Sequence, residues 1–118
     1  MDQKKSQTQN LNIEKLNETF MNDSGIIKQI LSAFQETVAN FASDFKALEQ
    51  EKNYEQLSRL VHGLKGSAAN IRAETVAKHA AQVQKLIDQK KDYVDESVAL
   101  LSSLTELQVQ IEQIQTNA

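Results

Sequence analysis

Between Ile27 and Leu48 the apolar side chains Ile27, Leu31, Phe34, Val38, Phe41, Phe45 and Leu48 recur at steps of four, three, four, three, four and three. Alternating steps of three and four hold side chains on one face of an α-helix and scatter them over both faces of a strand. The same 118 residues contain no proline and only three glycines, so little interrupts a helical pattern, and long helices joined by few short links are expected. The seam reads as the core face of one continuous helix from about Ser24, its N-cap, to Leu48. That is the packing face of a helix lying nearly parallel or antiparallel to its neighbours in a bundle.

The flanking sequence supplies partners for this face. Ile13, Leu16 and Phe20 predict a short helix over 11–21. Asn53 is placed to cap a helix over Tyr54–Asn70 after the break at Glu51-Lys52-Asn53. Asn70-Ile71-Arg72-Ala73 reads as a tight connection. A further helix over 74–89 turns Val76, Ala80, Val83 and Ile87 inward. Lys90-Lys91-Asp92 reads as a polar turn, its lysines suited to a helix C-terminus. The last helix, over 94–115, carries Val98, Leu101, Leu104, Leu107, Ile111 and Ile114 along one side. The expected fold is all-α: an antiparallel up-down-up-down four-helix bundle over residues 11–118, with a short additional N-terminal helix capping one end. Residues 1–10 are polar and lack the apolar run of a signal peptide, and they read as a disordered lead or linker. Cysteine is absent, which removes disulfides and cysteine-based metal or redox chemistry and fits a reducing, cytoplasmic setting. A net charge of −3 with both signs interspersed argues against nucleic acid or an anionic membrane as partner. No apolar run approaches the roughly 18–20 residues that span a bilayer.

One of these helices is odd. Leu57 to Ile71 holds two of the three glycines, Gly63 and Gly66, and one of the two histidines, His62. Each glycine inside a helix costs about 1 kcal/mol relative to alanine. On a wheel of about 100° per residue, Leu57, Leu60, Val61, Leu64, Ala68 and Ile71 form a narrow apolar stripe, and His62 lies about 140° from its centre, facing solvent or a groove edge. Around His62 on that face are Ser58, Arg59, Lys65, Gly66 and Ala69. An exposed imidazole is a nucleophile near neutral pH. A phosphoryl group on it adds roughly two negative charges, which Lys65 one turn on and Arg59 on the other side are placed to offset. Gly66 and Ala69 leave clearance for a second protein to bring its own reactive group to the ring. Gly63 gains no such explanation.

The run His62-Gly63-Leu64-Lys65-Gly66-Ser67-Ala68-Ala69-Asn70-Ile71 closely resembles the signature of histidine-containing phosphotransfer (HPt) domains of bacterial two-component phosphorelays. In that family the histidine and two further residues are followed by Lys-Gly-(Ser/Ala)-Ala. The resemblance extends over about residues 11–114, because the family fold is also a four-helix bundle with a short preceding helix. It implies that His62 accepts a phosphoryl group from the aspartate of a receiver domain and passes it to another receiver. It implies Lys65 as the stabilising cation and Gly66 as a contact at the receiver interface; Ser58, Arg59 and Ala69, which share the His62 face, and Arg72 at the turn are expected to line that interface. It also implies that Gln84, 22 positions beyond the histidine, hydrogen-bonds the imidazole from the next helix. The partners it implies are response-regulator receiver domains and a hybrid sensor kinase. Mg²⁺ would belong to the receiver, and no cofactor or metal to this chain. The family usually has glycine where this chain has Arg72. A left-handed turn there would strain the arginine by roughly 1 kcal/mol, while adding positive charge at the docking rim.

His79, the other histidine, flanks the apolar stripe of its own helix and reads as a partly buried packing residue, with no cluster at ligand spacing beside it. No glycine-rich nucleotide loop is present, so a phosphotransfer module without its own ATP site is expected. Two other classes compete: a non-catalytic helical scaffold in which His62 is inert, and a histidine kinase dimerisation domain. The latter builds its bundle from two chains, whereas four sizeable helices in one chain predict a monomer.

Overall fold

The computed structural model describes residues 11–117, so the expected lead segment over 1–10 lies outside the described residues. Six helices follow one another: α1 (Ile13–Thr19), α2 (Ser24–Val38), α3 (Phe41–Gln50), α4 (Tyr54–Asn70), α5 (Glu74–Asp88) and α6 (Val94–Asn117), with no strand among the described residues.

The helix starts are set by short polar side chains. Asn12, Asp23 and Asn53 precede α1, α2 and α4, and their side-chain oxygens accept from the backbone N–H of Lys15, Ile26 and Gln56. The cap of α2 is therefore Asp23, and Ser24, expected in that role, is the first helical residue. Ahead of α1, Leu11 and Leu16 flank the Asn12 cap and are both buried, the arrangement of a hydrophobic staple. Ile13, read as inward, is 40 % exposed instead.

The expected continuous helix over 24–48 is broken into α2 and α3 at Ala39-Asn40. Ala39 keeps helical angles (φ −56°, ψ −35°), but Asn40 departs to φ −108°, ψ 10°. Asn40 still accepts from the amide of Asp44 and the hydroxyl of Ser43. Two turn residues therefore bend the chain without shifting its phase. Phe34 and Val38 before the break, and Phe41 and Phe45 after it, all remain buried.

Four of the helices, α1, α3, α4 and α5, end on a left-handed turn made without glycine, that of α1 at Met21 and Asn22. Lys52, Arg72 and Lys90 follow α3, α4 and α5 at φ 58°, 62° and 59°, and no glycine in the chain has positive φ. At Arg72 the full Schellman pattern is present: Ala73 N–H donates to Ala68 O at 2.8 Å and Arg72 N–H to Ala69 O at 3.0 Å. The turn at Arg72 is therefore left-handed, and the arginine carries the strain.

The helices pack in a closed circuit: α2 and α3 against α4, α4 against α5, α5 against α6, and α6 back against α2. Leu57, Val61, Leu64 and Ala68 of α4 meet Val76, Ala80, Val83 and Ile87 of α5 in the buried centre, where each fully enclosed leucine contributes about 1.5–3 kcal/mol. On α6 the buried stripe is Ser97, Leu100, Ser103, Leu104, Leu107 and Ile111. Val98, expected inside, is 62 % exposed. The first two turns are thus rotated by one residue from the expected register, because Ser97 and Ser103 tolerate burial. Their hydroxyls donate to the carbonyls of Val94 at 2.8 Å and Leu100 at 2.9 Å, so burial leaves no polar group unsatisfied.

Candidate functional site

α4 buries Leu57, Val61, Leu64 and Ala68 at steps of four, three and four, which fixes the rotation of the helix and turns His62 outward. The imidazole is exposed and lies over the groove between α4 and α5. Its Nδ1 is 3.2 Å from Gln84 Oε1. An amide oxygen only accepts, so this contact favours the tautomer protonated on Nδ1, which leaves the Nε2 lone pair free.

One turn earlier on α4, Ser58 Oγ donates to Asp88 Oδ1 at 2.7 Å. Four residues back along α4 correspond to four residues forward along α5, so these two helices run in opposite directions past the site. The two hydrogen bonds are successive rungs across one groove, and they fix the height at which His62 meets Gln84.

The other residues singled out by sequence fall around this groove in different ways. Lys65 is half-exposed one turn beyond His62 and makes no hydrogen bond or ion pair with a described residue. Arg59 is exposed and engaged with Glu55, Nη2 to Oε2 at 3.1 Å; such a surface pair is worth only about 0.2–1 kcal/mol and yields readily to a stronger anion. Gly66 and Ala69 are exposed on the His62 face. A Cβ built at Gly66 or at Gly63 meets no heavy atom within 4 Å, so neither glycine answers a steric demand inside the fold. Arg72 sits past the end of α4, with its Nε donating to Thr19 Oγ1 at 3.1 Å and its carbonyl accepting from Asn12 N–H at 3.2 Å.

His79 is not brought to this face. It is half-buried between α5 and α6, where Nδ1 donates to Glu96 Oε2 at 2.7 Å. Glu96, 17 residues away, gave no local sequence signal for this contact. Among the described residues no group of three His, Cys, Asp or Glu side chains could hold a metal ion. No helix among them is long and apolar enough to cross a membrane.

The Hpt domain family model matches residues 29–117, from the middle of α2 to the end of α6. The chain belongs to the Hpt domain family. No curated protein and no solved structure gives a significant match. The matched span contains the His62 groove whole, with Ser58, Gln84 and Asp88. Hpt domains are phosphotransfer modules of two-component signalling, interact with receiver domains and carry no kinase site of their own.

Proposed function

We propose that this Hpt domain is a phosphorelay intermediate that takes a phosphoryl group from one receiver domain onto His62 and delivers it to another. The observation that carries this reading is the His62–Gln84 hydrogen bond beneath an exposed ring. Nε2 attacks the phosphorus of the receiver's aspartyl phosphate. The N–P bond forms, the acyl P–O bond breaks, and the aspartate leaves as a carboxylate. The ring keeps its Nδ1 proton, and the positive charge it gains is directed at Gln84 Oε1. Reversal with a second receiver's carboxylate returns the neutral imidazole.

Lys65 offsets the charge on the phosphoryl oxygens, and Arg59 joins it by leaving Glu55. Gly66 and Ala69 admit the receiver's acidic pocket, which brings its own Mg²⁺; Ser58 and Arg72 lie along the same docking face. Residues 11–118 act as one domain without an ATP site. The phosphoryl group originates in a hybrid sensor kinase, in the cytoplasm. The closed circuit of contacts and the short links, such as Ile71–Ala73 between α4 and α5, favour an up-down-up-down bundle completed by one chain, and hence a monomer rather than a dimerisation domain.

The test is phosphotransfer from a purified receiver domain with Mg²⁺ and acetyl phosphate. Wild type acquires acid-labile, base-stable phosphate and His62→Gln acquires none. Acid-labile label retained on His62→Gln would overturn the assignment, and unchanged receiver transfer by His62→Ala would favour an inert scaffold.

A further inference from the structure

A cleft of about 670 Å³ opens at the C-terminal end of α4, lined by Thr19, Phe20, Ile30, Ala69, Asn70 and Arg72. We infer that it is a specificity subsite for the docked receiver: it takes an aliphatic side chain from the receiver surface, while Arg72 binds a carboxylate beside it. This rests on the reading that His62 exchanges phosphate with receivers, and it specifies what such a receiver carries.

Position makes the cleft part of any such interface. A stable protein interface covers about 800 Å² on each partner, equivalent to a disc of roughly 16 Å radius. Ala69 is seven residues beyond His62 on the same helix face, about 10 Å along the axis at 1.5 Å per residue. A partner seated on the imidazole therefore covers the cleft mouth.

The chemistry of the cleft identifies its occupant. Phe20 and Ile30 are only partly buried and form an apolar floor. Ile26, one turn before Ile30 on α2, is 43 % exposed, and Met21, next to Phe20, is 86 % exposed. Both stand within one helical turn of a cleft residue in sequence and leave apolar surface exposed among the described residues.

Arg72 is the cation of this cleft, and it is held in place. Its Nε–H is committed to Thr19 Oγ1, while its terminal Nη donors have no partner among the described residues. Lys52 and Lys90 share its left-handed backbone but have no such tether, so the turn alone does not explain the fixed side chain. Lys15, the cation on α1, is paired with Glu74 at 3.3 Å. An apolar floor beside one pre-positioned guanidinium complements an aliphatic group next to a carboxylate. The cleft at the opposite end of α4 has Glu55, Asp88 and Asp92 facing Lys90 and Lys91, a mixture that selects no one charge.

The experiment uses as probe whichever receiver of a purified panel phosphorylates the wild-type protein fastest with Mg²⁺ and acetyl phosphate. KM and kcat for transfer are measured for wild type, Arg72→Gly, Arg72→Gln, Arg72→Glu and Ile30→Ala, at about 0.05 M and about 0.5 M salt. Arg72→Gly relieves the left-handed strain, so its folding is secure. Arg72→Gly and Arg72→Gln raise KM about fivefold with kcat unchanged, Arg72→Glu raises it further, and the Arg72 differences shrink at high salt. Ile30→Ala raises KM at both salt concentrations, as loss of apolar contact requires. Equal KM across the Arg72 series, or a rise indifferent to salt, overturns the carboxylate contact; unchanged KM for Ile30→Ala overturns the aliphatic one. His62→Gln is the control. If it is labelled, or if no receiver labels wild type, the phosphorelay reading itself falls; His62-dependent labelling with unaltered KM in the Arg72 and Ile30 variants removes the subsite alone.

Discussion

His62 Nδ1 and Gln84 Oε1 lie 3.2 Å apart across the α4–α5 groove, and this contact favours the ring tautomer protonated on Nδ1. Gln84→Leu removes the acceptor and lets the ring carry its proton on Nε2. Transfer should fall about fivefold, the equivalent of one net hydrogen bond of roughly 1 kcal/mol. Nitrogen-15 NMR gives the independent readout: Nε2 is unprotonated in the neutral wild-type ring and largely protonated in Gln84→Leu. Identical nitrogen shifts in both proteins would remove the tautomer argument.

Gly63 and Gly66 both face open space, yet only Gly66 lies toward the docking side of His62. Replacing either with alanine should raise stability by about 0.5–1 kcal/mol, measured by urea unfolding. Gly63→Ala is expected to leave transfer unchanged. Gly66→Gln should fold at least as well as wild type while slowing transfer tenfold or more, an estimate of order set by the loss of close approach. Equal rates for Gly66→Gln and wild type would count against clearance as the reason for that glycine.

Lys52 and Lys90 occupy left-handed positions with no side-chain hydrogen bond or ion pair to a described residue. The left-handed conformation costs an ordinary residue about 1–2 kcal/mol, partly offset in the comparison because glycine loses more backbone freedom on folding. Lys52→Gly and Lys90→Gly should each stabilise the fold by about 0.5–1 kcal/mol, and additively, since the two turns are separate. Destabilisation by either change would show that the turn tolerates lysine without strain.

Tyr93 joins the α5–α6 link to α3: its hydroxyl donates to Glu49 Oε2 at 3.0 Å and its ring meets Phe45 edge-on at 6.2 Å. Burial raises the phenol above its usual value, and the hydrogen bond and negative charge of Glu49 raise it further. A group whose folded value is raised stabilises fully below its unfolded value, about 10 for tyrosine, and loses that contribution as pH climbs beyond it. Stability should therefore decline above about pH 10, and Tyr93→Phe should decline less steeply in the same range.

Helix periodicity was the readable part of this chain. The inward positions of α4 and α5 follow directly from their spacing, and so does the exposure of His62. The break at Ala39-Asn40 was hidden because the bend preserves the three-four rhythm on either side. The register at the start of α6 was hidden because a serine that bonds its own helix can lie buried while a valine faces solvent. The turns were found but not their chemistry: glycine marks left-handed positions in most sequences, and here methionine, asparagine, lysine and arginine occupy them while the glycines lie inside helices. The fold had to be seen to place Thr19 against Arg72 and Glu96 against His79, since neither pair is close in sequence.

The turn after α4 also bears on how a signalling pathway diverges. Its backbone is set by hydrogen bonds among Ala68, Ala69, Arg72 and Ala73, none of which involves the side chain at position 72. That side chain can be exchanged, even for glycine, without dismantling the helix that carries the reactive histidine. On the docking proposed above, a duplicated copy of this protein would acquire a new set of receivers by change at one exposed position, while the groove around His62 stayed as it was.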